Sequence, residues 1–355
     1  MAKRHFLRDL AIRGVTRAEA SLDRLRYDLL GKGQGAEPHL HVYRGLRNED
    51  RMVLEGRVTE DWKPQVPVSD STLPRMRNML RLYESDEIPG VAVDVTYQGR
   101  EHRLVTDDEG YFRLEVEGLS RPLPETTKFE DVEVRAKDFA MPPVSGEILV
   151  PGRETRLAII SDIDDTIIET GATNFLKNWR RILVETPQER LAVPGAAELY
   201  RMLTGLDGSM VNPVFYVSSS PWNLYSYLEA FLRHNHMPRG PMFLRDYGID
   251  DLKFIASPHT EHKIAAVETV LGFYPDMRFL LIGDSGQKDI EVYAHAAKAF
   301  PERIAGVFIR DVHGTGPSDL HKPALDTLRS KGLGVYFGET MEGAADLARE
   351  LGFAD

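Results

Sequence analysis

The chain has no cysteine. That excludes disulfide staples, thiolate metal sites and a cysteine nucleophile, and it fits a reducing compartment such as the cytoplasm. No apolar run is long enough to span a bilayer. Near the N-terminus, Arg8, Asp9 and Arg13 interrupt every stretch that a signal-peptide core would need. Positive charge is also short: 44 Lys and Arg stand against 55 Asp and Glu, a formal net charge of −11. A general nucleic-acid binder is thereby excluded, and no nucleic-acid partner is expected. Internal repeats and low-complexity tracts are missing too. What is present is a globular composition, 42% hydrophobic and 28% charged. At 355 residues, it calls for two domains rather than one or three.

Three regions differ in pattern. Residues 1–37 read as a basic amphipathic N-terminal helical segment, with Thr16-Arg-Ala-Glu19 in the form of a capping box. Ala18, Leu22, Leu25 and Leu29 then share one face, which packs on a neighbouring domain or rests on an anionic membrane surface; the first reading is preferred. Residues 38–152 turn to period two. Val91, Val93, Val95 and Tyr97 alternate with Ala92, Asp94 and Thr96, and Phe112, Leu114 and Val116 with Arg113 and Glu115. Turn chemistry at Gln98-Gly99 and Asp107-Asp-Glu-Gly110 separates the runs, as in an all-β sandwich. A helical insertion is expected at 73–83. Thr106-Asp-Asp-Glu-Gly-Tyr-Phe112 resembles the hairpin of transthyretin-like sandwiches. No chemistry is evident in this region, which reads as a scaffold or targeting module.

From residue 153 to the C-terminus, strand, loop and helix alternate. Apolar strands are expected at 157–161, 214–217, 241–244, 279–282, 305–309 and 334–337, and helices at 195–203, 223–234 and 262–271. The runs do not alternate in polarity, so both faces of each strand should be buried, as in an α/β fold whose parallel sheet carries helices on both sides.

The acids follow the strands. Leu157-Ala-Ile-Ile-Ser161 empties into Asp162, Asp164, Asp165 and Thr166. Anions at the mouth of an apolar strand need a cation beside them, and open parallel sheets bind ligands beyond the carboxyl ends of their strands. Phosphoryl transfer to a carboxylate needs a nucleophile, a proton donor, a cation and donors for the phosphate oxygens. Asp162 is placed to attack phosphorus, and Asp164 to protonate the leaving oxygen and then activate water. Thr166 braces the loop. Ser218 and Ser219, after the second strand, bind phosphate, with Lys263 bridging phosphate and Asp162. Asp284 and Asp289, in Gly283-Asp-Ser-Gly-Gln-Lys-Asp289, supply hard oxygens for Mg²⁺, with Asp162 and Asp164 completing the metal set. Taken singly, each cluster is an ordinary turn or surface feature; the argument rests on four of them in one order.

That order resembles the four motifs of the haloacid dehalogenase-like (HAD) superfamily. Tyr216-Val-Ser-Ser-Ser-Pro-Trp222 and Phe279-Leu-Leu-Ile-Gly-Asp-Ser-Gly-Gln-Lys-Asp289 further resemble the actin-patch-type, lipin-like phosphatidate phosphatases, with a likeness running from about residue 153 to the C-terminus. The resemblance implies a HAD-like Rossmannoid catalytic domain over 153–355, and Mg²⁺-dependent conversion of phosphatidate to diacylglycerol and phosphate through an aspartyl-phosphate. It also implies a phosphorylated lipid partner and a cytoplasmic, peripherally membrane-bound protein. No large cap is evident, which suits a surface-bound substrate. Phe175, Trp179, Ile182 and Leu183, beside Lys177, Arg180 and Arg181, form a lipid-facing rim or pack on the sheet. The alternatives are a phosphatase acting on a phosphoprotein, nucleic-acid end or soluble ester, and a non-catalytic membrane adaptor. Oligomeric state is not legible.

Overall fold

The computed structural model describes residues 37–61, 87–169, 192–205, 211–245 and 259–353. The helices expected at 17–29 and 73–83 and the aromatic and basic stretch at 175–183 lie outside the described residues.

Among the described residues, the period-two region folds as eight strands: β1 (Glu37–Val42), β2 (Gly45–Arg47), β3 (Met52–Asp61), β4 (Ala92–Tyr97), β5 (Arg100–Val105), β6 (Tyr111–Val116), β7 (Lys128–Ala136) and β8 (Val144–Val150). They run in the order β1-β3-β2-β8-β7-β4-β5, with β6 paired to β3. Every pairing is antiparallel except β2 with β8. The alternation does what it predicts. Val93, Val95 and Tyr97 turn into a core with Leu54, Val58, Phe112 and Val134. At the β4–β5 hairpin, Gln98 and Gly99 take φ of 51° and 77°. Two left-handed residues give a turn whose twist matches the strands, and they set Tyr97 opposite Arg100.

The second sheet holds β9 (Leu157–Ser161), β10 (Val214–Pro221), β11 (Met242–Arg245), β12 (Arg278–Asp284), β13 (Ile304–Arg310) and β14 (Gly334–Gly338). All are parallel, in the order β11-β10-β9-β12-β13-β14. The helices among the described residues are α1 (Ala196–Thr204), α2 (Tyr225–His234), α3 (His259–Phe273), α4 (Asp289–Ala299), α5 (Lys322–Ser330) and α6 (Glu342–Glu350). Successive strand residues point to opposite faces. Ala158, Ile160, Phe215, Phe279 and Leu281 pack under α3, α4 and α5, while Ile159, Tyr216, Leu280 and Ile282 pack under α1, α2 and α6. The apolar runs are continuous because both faces are covered. The chain leaves β9 for β10 and β11, then returns across it to β12. The strand order therefore reverses between β9 and β12, and ligands in such sheets bind at that point.

Three boundaries differ from the sequence reading. Strand β10 continues through Ser218, Ser219 and Ser220 to Pro221, because the hydroxyls of Ser218 and Ser220 are buried against the Asp164 carboxylate. A single 3₁₀ turn, Trp222–Leu224, precedes α2. Helix α3 begins at His259, which puts Lys263 in its second turn instead of at its start.

The two sheets share apolar contacts. Leu46, Val53 and Leu149 of the first join the cluster formed by Val267, Val270 and Phe273 of α3. Among the described residues, no helix is long and apolar enough to cross a membrane.

Candidate active site

At the reversal between β9 and β12, the first strand delivers Asp162 and the second Asp284, and the Asp162 N–H donates to the carbonyl of Ile282 at 2.9 Å. Helix α4 contributes its first residue, Asp289, and α3 contributes Lys263. All four are buried, with exposures of 1% for Asp162, 0% for Asp284 and Asp289, and 2% for Lys263. The Lys263 ammonium lies between two carboxylates, 2.8 Å from Asp162 Oδ1 and 2.5 Å from Asp289 Oδ1. Thr166 Oγ1 donates to the other oxygen of Asp162 at 3.1 Å.

Three carboxylates face one ammonium. Burial, followed by the opposing effects of Lys263 and the neighbouring acids, holds the Asp162 carboxyl well above its ordinary range. Burial, then Asp289 and Asp162, does the same to Asp284. At Lys263 burial alone would favour the neutral amine, but Asp162, Asp289 and Asp284 together outweigh it and hold the ammonium above its usual range.

Carboxylate oxygens of Asp162, Asp284 and Asp289 lie within 4.8 Å of one another. Asp284 Oδ1 accepts from the N–H groups of Gly286 and Gln287, the latter at 3.0 Å. Asp284 Oδ2 is buried and has no hydrogen-bond partner among the described residues. A buried carboxylate oxygen without a partner costs free energy that a cation would recover. The donors are all hard oxygens, which suit a small divalent ion. Gly283 keeps the cluster tight, since a Cβ there would lie 2.5 Å from Asp289 Oδ2. Asp289 is also held by the Asp284 N–H, which donates to its Oδ2 at 3.0 Å.

Asp164 stands apart from this group of three. Its Oδ2 accepts from Ser218 Oγ at 2.7 Å and from Ser220 Oγ at 2.9 Å. Burial raises its proton affinity, the two serine bonds oppose that, and Asp165 adds to it. The Asp164 side chain therefore has its Oδ2 turned to the serines. The loop itself is fixed through its backbone. Asp165 takes a left-handed φ of 58°, its carbonyl accepts from Arg310 Nη1 at 2.7 Å, and the Asp164 carbonyl accepts from Gln287 Nε2 at 3.1 Å.

The structure thus brings Asp162, Lys263, Asp284, Asp289 and Thr166 to one point, with Asp164 and Ser218 beside them. Ser219, buried on β10, alternates to the other face of the strand from Ser218 and Ser220. Three residues of the site were not singled out from the sequence: Ser220, Gln287 and Arg310. Ser220 carried a usable signal, since serines two apart on a strand share a face. Gln287 and Arg310 carried none, because their partners are carbonyls more than 120 residues away in sequence.

Comparison with known proteins gives a family match over residues 157–311, to the family described as phosphatidate phosphatase APP1, catalytic domain. The matched stretch runs from the first residue of β9 to Asp311 and contains every site residue named above. An uncharacterized protein of Schizosaccharomyces pombe is 31% identical over 218 residues, covering 60% of this chain and 35% of its own length. Phosphatidate phosphatase APP1 of Saccharomyces cerevisiae is 33% identical over 154 residues, covering 43% of this chain and 26% of its own. The chain thus spans about a third or less of the curated relatives it matches. Among solved structures, a carbohydrate acetylesterase from Xanthomonas citri overlaps 82% of this chain and 74% of its own at 11% identity, with a TM-score of 0.27. That similarity is too low to bear on fold or function.

Proposed function

We propose that, through residues 157–311, this chain belongs to the family of the phosphatidate phosphatase APP1 catalytic domain, and that it is a Mg²⁺-dependent phosphatidate phosphatase of HAD type working through an aspartyl-phosphate. The observation that carries the reading is the buried group of Asp162, Asp284, Asp289 and Lys263 at the sheet's reversal point. Asp162, Asp284 and Asp289 would hold Mg²⁺, which when bound supplies positive charge for the phosphate oxygens.

The remaining chemistry falls to the chain's own groups. Lys263 and Thr166 fix the Asp162 carboxylate. An oxygen of Asp162 attacks phosphorus; its new bond to phosphorus forms as the bond from phosphorus to the glycerol oxygen breaks. Asp164 gives its carboxyl proton to that oxygen, releasing diacylglycerol. It can hold a proton because burial raises its affinity. In the second half, Asp164 takes a proton from water as the water oxygen attacks phosphorus. The bond between phosphorus and Asp162 breaks, inorganic phosphate leaves, and Asp162 is restored. A lipid substrate requires the protein to meet a membrane surface from the aqueous side, so a cytoplasmic, peripheral location goes with the proposal.

The test is phosphate release from phosphatidate and lysophosphatidate in mixed micelles and from soluble phosphomonoesters, with and without Mg²⁺. Mg²⁺-dependent release favouring phosphatidate is expected. Release from soluble esters alone would overturn the lipid assignment, and no release from any ester would overturn the enzyme.

A further inference from the structure

The turn that follows Ser218 and Ser220 is gripped by the first sheet. A single residue, Pro221, separates Ser220 from the 3₁₀ turn Trp222–Leu224. Tyr43, between β1 and β2, stacks on Trp222 with ring centroids 4.3 Å apart at 26°, and lies 4.7 Å from the ring of Tyr225. The Arg44 N–H donates to the Tyr225 hydroxyl at 3.0 Å, and its guanidinium pairs with both oxygens of Glu229 on α2. Arg57, on β3, donates from Nη1 to Asn223 Oδ1 at 2.9 Å. Its other nitrogens are committed within the first sheet, to the carbonyl of Glu109 and to Glu87, both at 2.9 Å. The guanidinium also lies 4.4 Å from the centroid of the Tyr111 ring. The four residues from Trp222 to Tyr225, with Glu229 one turn on, thus include four anchored by Tyr43, Arg44 and Arg57, more than 160 residues earlier.

The first of these anchored residues, Trp222, is separated by Pro221 alone from Ser220, whose hydroxyl is one of the two that hold Asp164. A buried, hydrogen-bonded side chain keeps its orientation only if its donors do. The backbone from Ser220 through Pro221 is short and extended, with φ −72° and ψ 154° at Pro221, so a shift of Trp222 is passed to Ser220 and Ser218. We propose that the first sheet is a positioning element for the general acid: Tyr43 and Arg57 hold the Trp222–Tyr225 turn, and through it Ser218 and Ser220 aim the Asp164 carboxyl at the leaving oxygen. This assigns a role to the region that carries no chemistry of its own. It rests on the phosphatase reading of the site.

The consequence is chemical selectivity in the defect. An alkoxide leaves poorly without a proton, whereas a phenoxide leaves readily without one, so a misaimed acid slows alkyl esters more than aryl esters. The experiment measures kcat and KM at saturating Mg²⁺ for phosphatidate and for an aryl phosphomonoester bearing an acyl chain, in the same mixed micelles. Wild type is compared with Tyr43→Leu, Tyr43→Phe, Arg57→Met and Asn223→Ala, with Asp162→Asn as control. Tyr43→Leu, Arg57→Met and Asn223→Ala should lower kcat/KM, which reports the first half of the reaction and not the water attack common to both esters, about tenfold for phosphatidate and less than about twofold for the aryl ester. Tyr43→Phe, which keeps the ring, should restore the rate. If Tyr43→Leu or Arg57→Met fails to fold, Asn223→Ala decides, since it removes the Arg57 contact from the receiving side and leaves the first sheet unaltered. Equal losses on both esters, or none, overturn the positioning role alone, provided Asp162→Asn is inactive. An inactive wild type, or an active Asp162→Asn, overturns the phosphatase reading and this inference with it.

Discussion

The behaviour of the site follows from how few positive groups its buried acids have. Lys263 neutralises part of the charge on Asp162 and Asp289, and removing one partner of a buried pair leaves the other uncompensated. Lys263→Met should therefore destabilise the protein by about 3 kcal/mol in urea unfolding without divalent ions, near neutral pH. An unchanged midpoint would mean that the acids are not ionised there. Asp162, Asp164 and Asp284 all have proton affinities raised by burial. The folded state then binds more protons than the unfolded one at pH values above the ordinary carboxylate value of 3.8. Stability falls as pH rises from there through the raised folded-state values, and is largest at the acidic end of that window. Without divalent ions, Tm should rise between pH 7.5 and pH 5, and Asp284→Asn should flatten the rise; a Tm that falls over that interval contradicts the raised affinities. Much of this was legible. Asp162, Asp164, Asp284 and Asp289 announce themselves as acids at the ends of apolar runs. The burial of Lys263 was not, because one lysine in a helix reads as a surface residue until a fold sets two carboxylates around it.

At the scale of elements, the parallel sheet could be read because strands covered on both faces are continuous apolar runs, as in Phe279-Leu-Leu-Ile282. The extension of β10 through three serines was hidden, since polarity normally marks a strand's end; here the hydroxyls of Ser218 and Ser220 are satisfied by Asp164. The start of α3 was hidden by Pro258 and His259, which carry no apolar period. The β12–α4 connection depends on Gly283, where a Cβ would meet both Oδ2 and Cβ of Asp289, at 2.5 and 2.7 Å. Gly283→Ala should push Asp289 out of the group. It should cost about 1–3 kcal/mol and raise the Mg²⁺ concentration for half-maximal activity about tenfold. Calorimetric Mg²⁺ titration checks it, and unaltered affinity would show that Asp289 is not a ligand.

For the molecule as a whole, the first sheet is packed onto the second through Leu46, Val53, Leu149 and the Tyr43–Trp222 stack. No local pattern forecasts that, since Arg57 and Asn223 are 166 residues apart and neither looks unusual alone. The central claim concerns one oxygen of one side chain: that Asp162 carries phosphate between the two halves of the reaction. Radiolabelled phosphatidate, mixed with the enzyme and Mg²⁺ and quenched in acid within a single turnover, tests it directly. The account predicts label on the peptide containing Asp162, released by hydroxylamine as an acyl phosphate is, and no label on Asp162→Asn. Phosphate released at the wild-type rate with no protein-bound label, or label on another peptide, would contradict it.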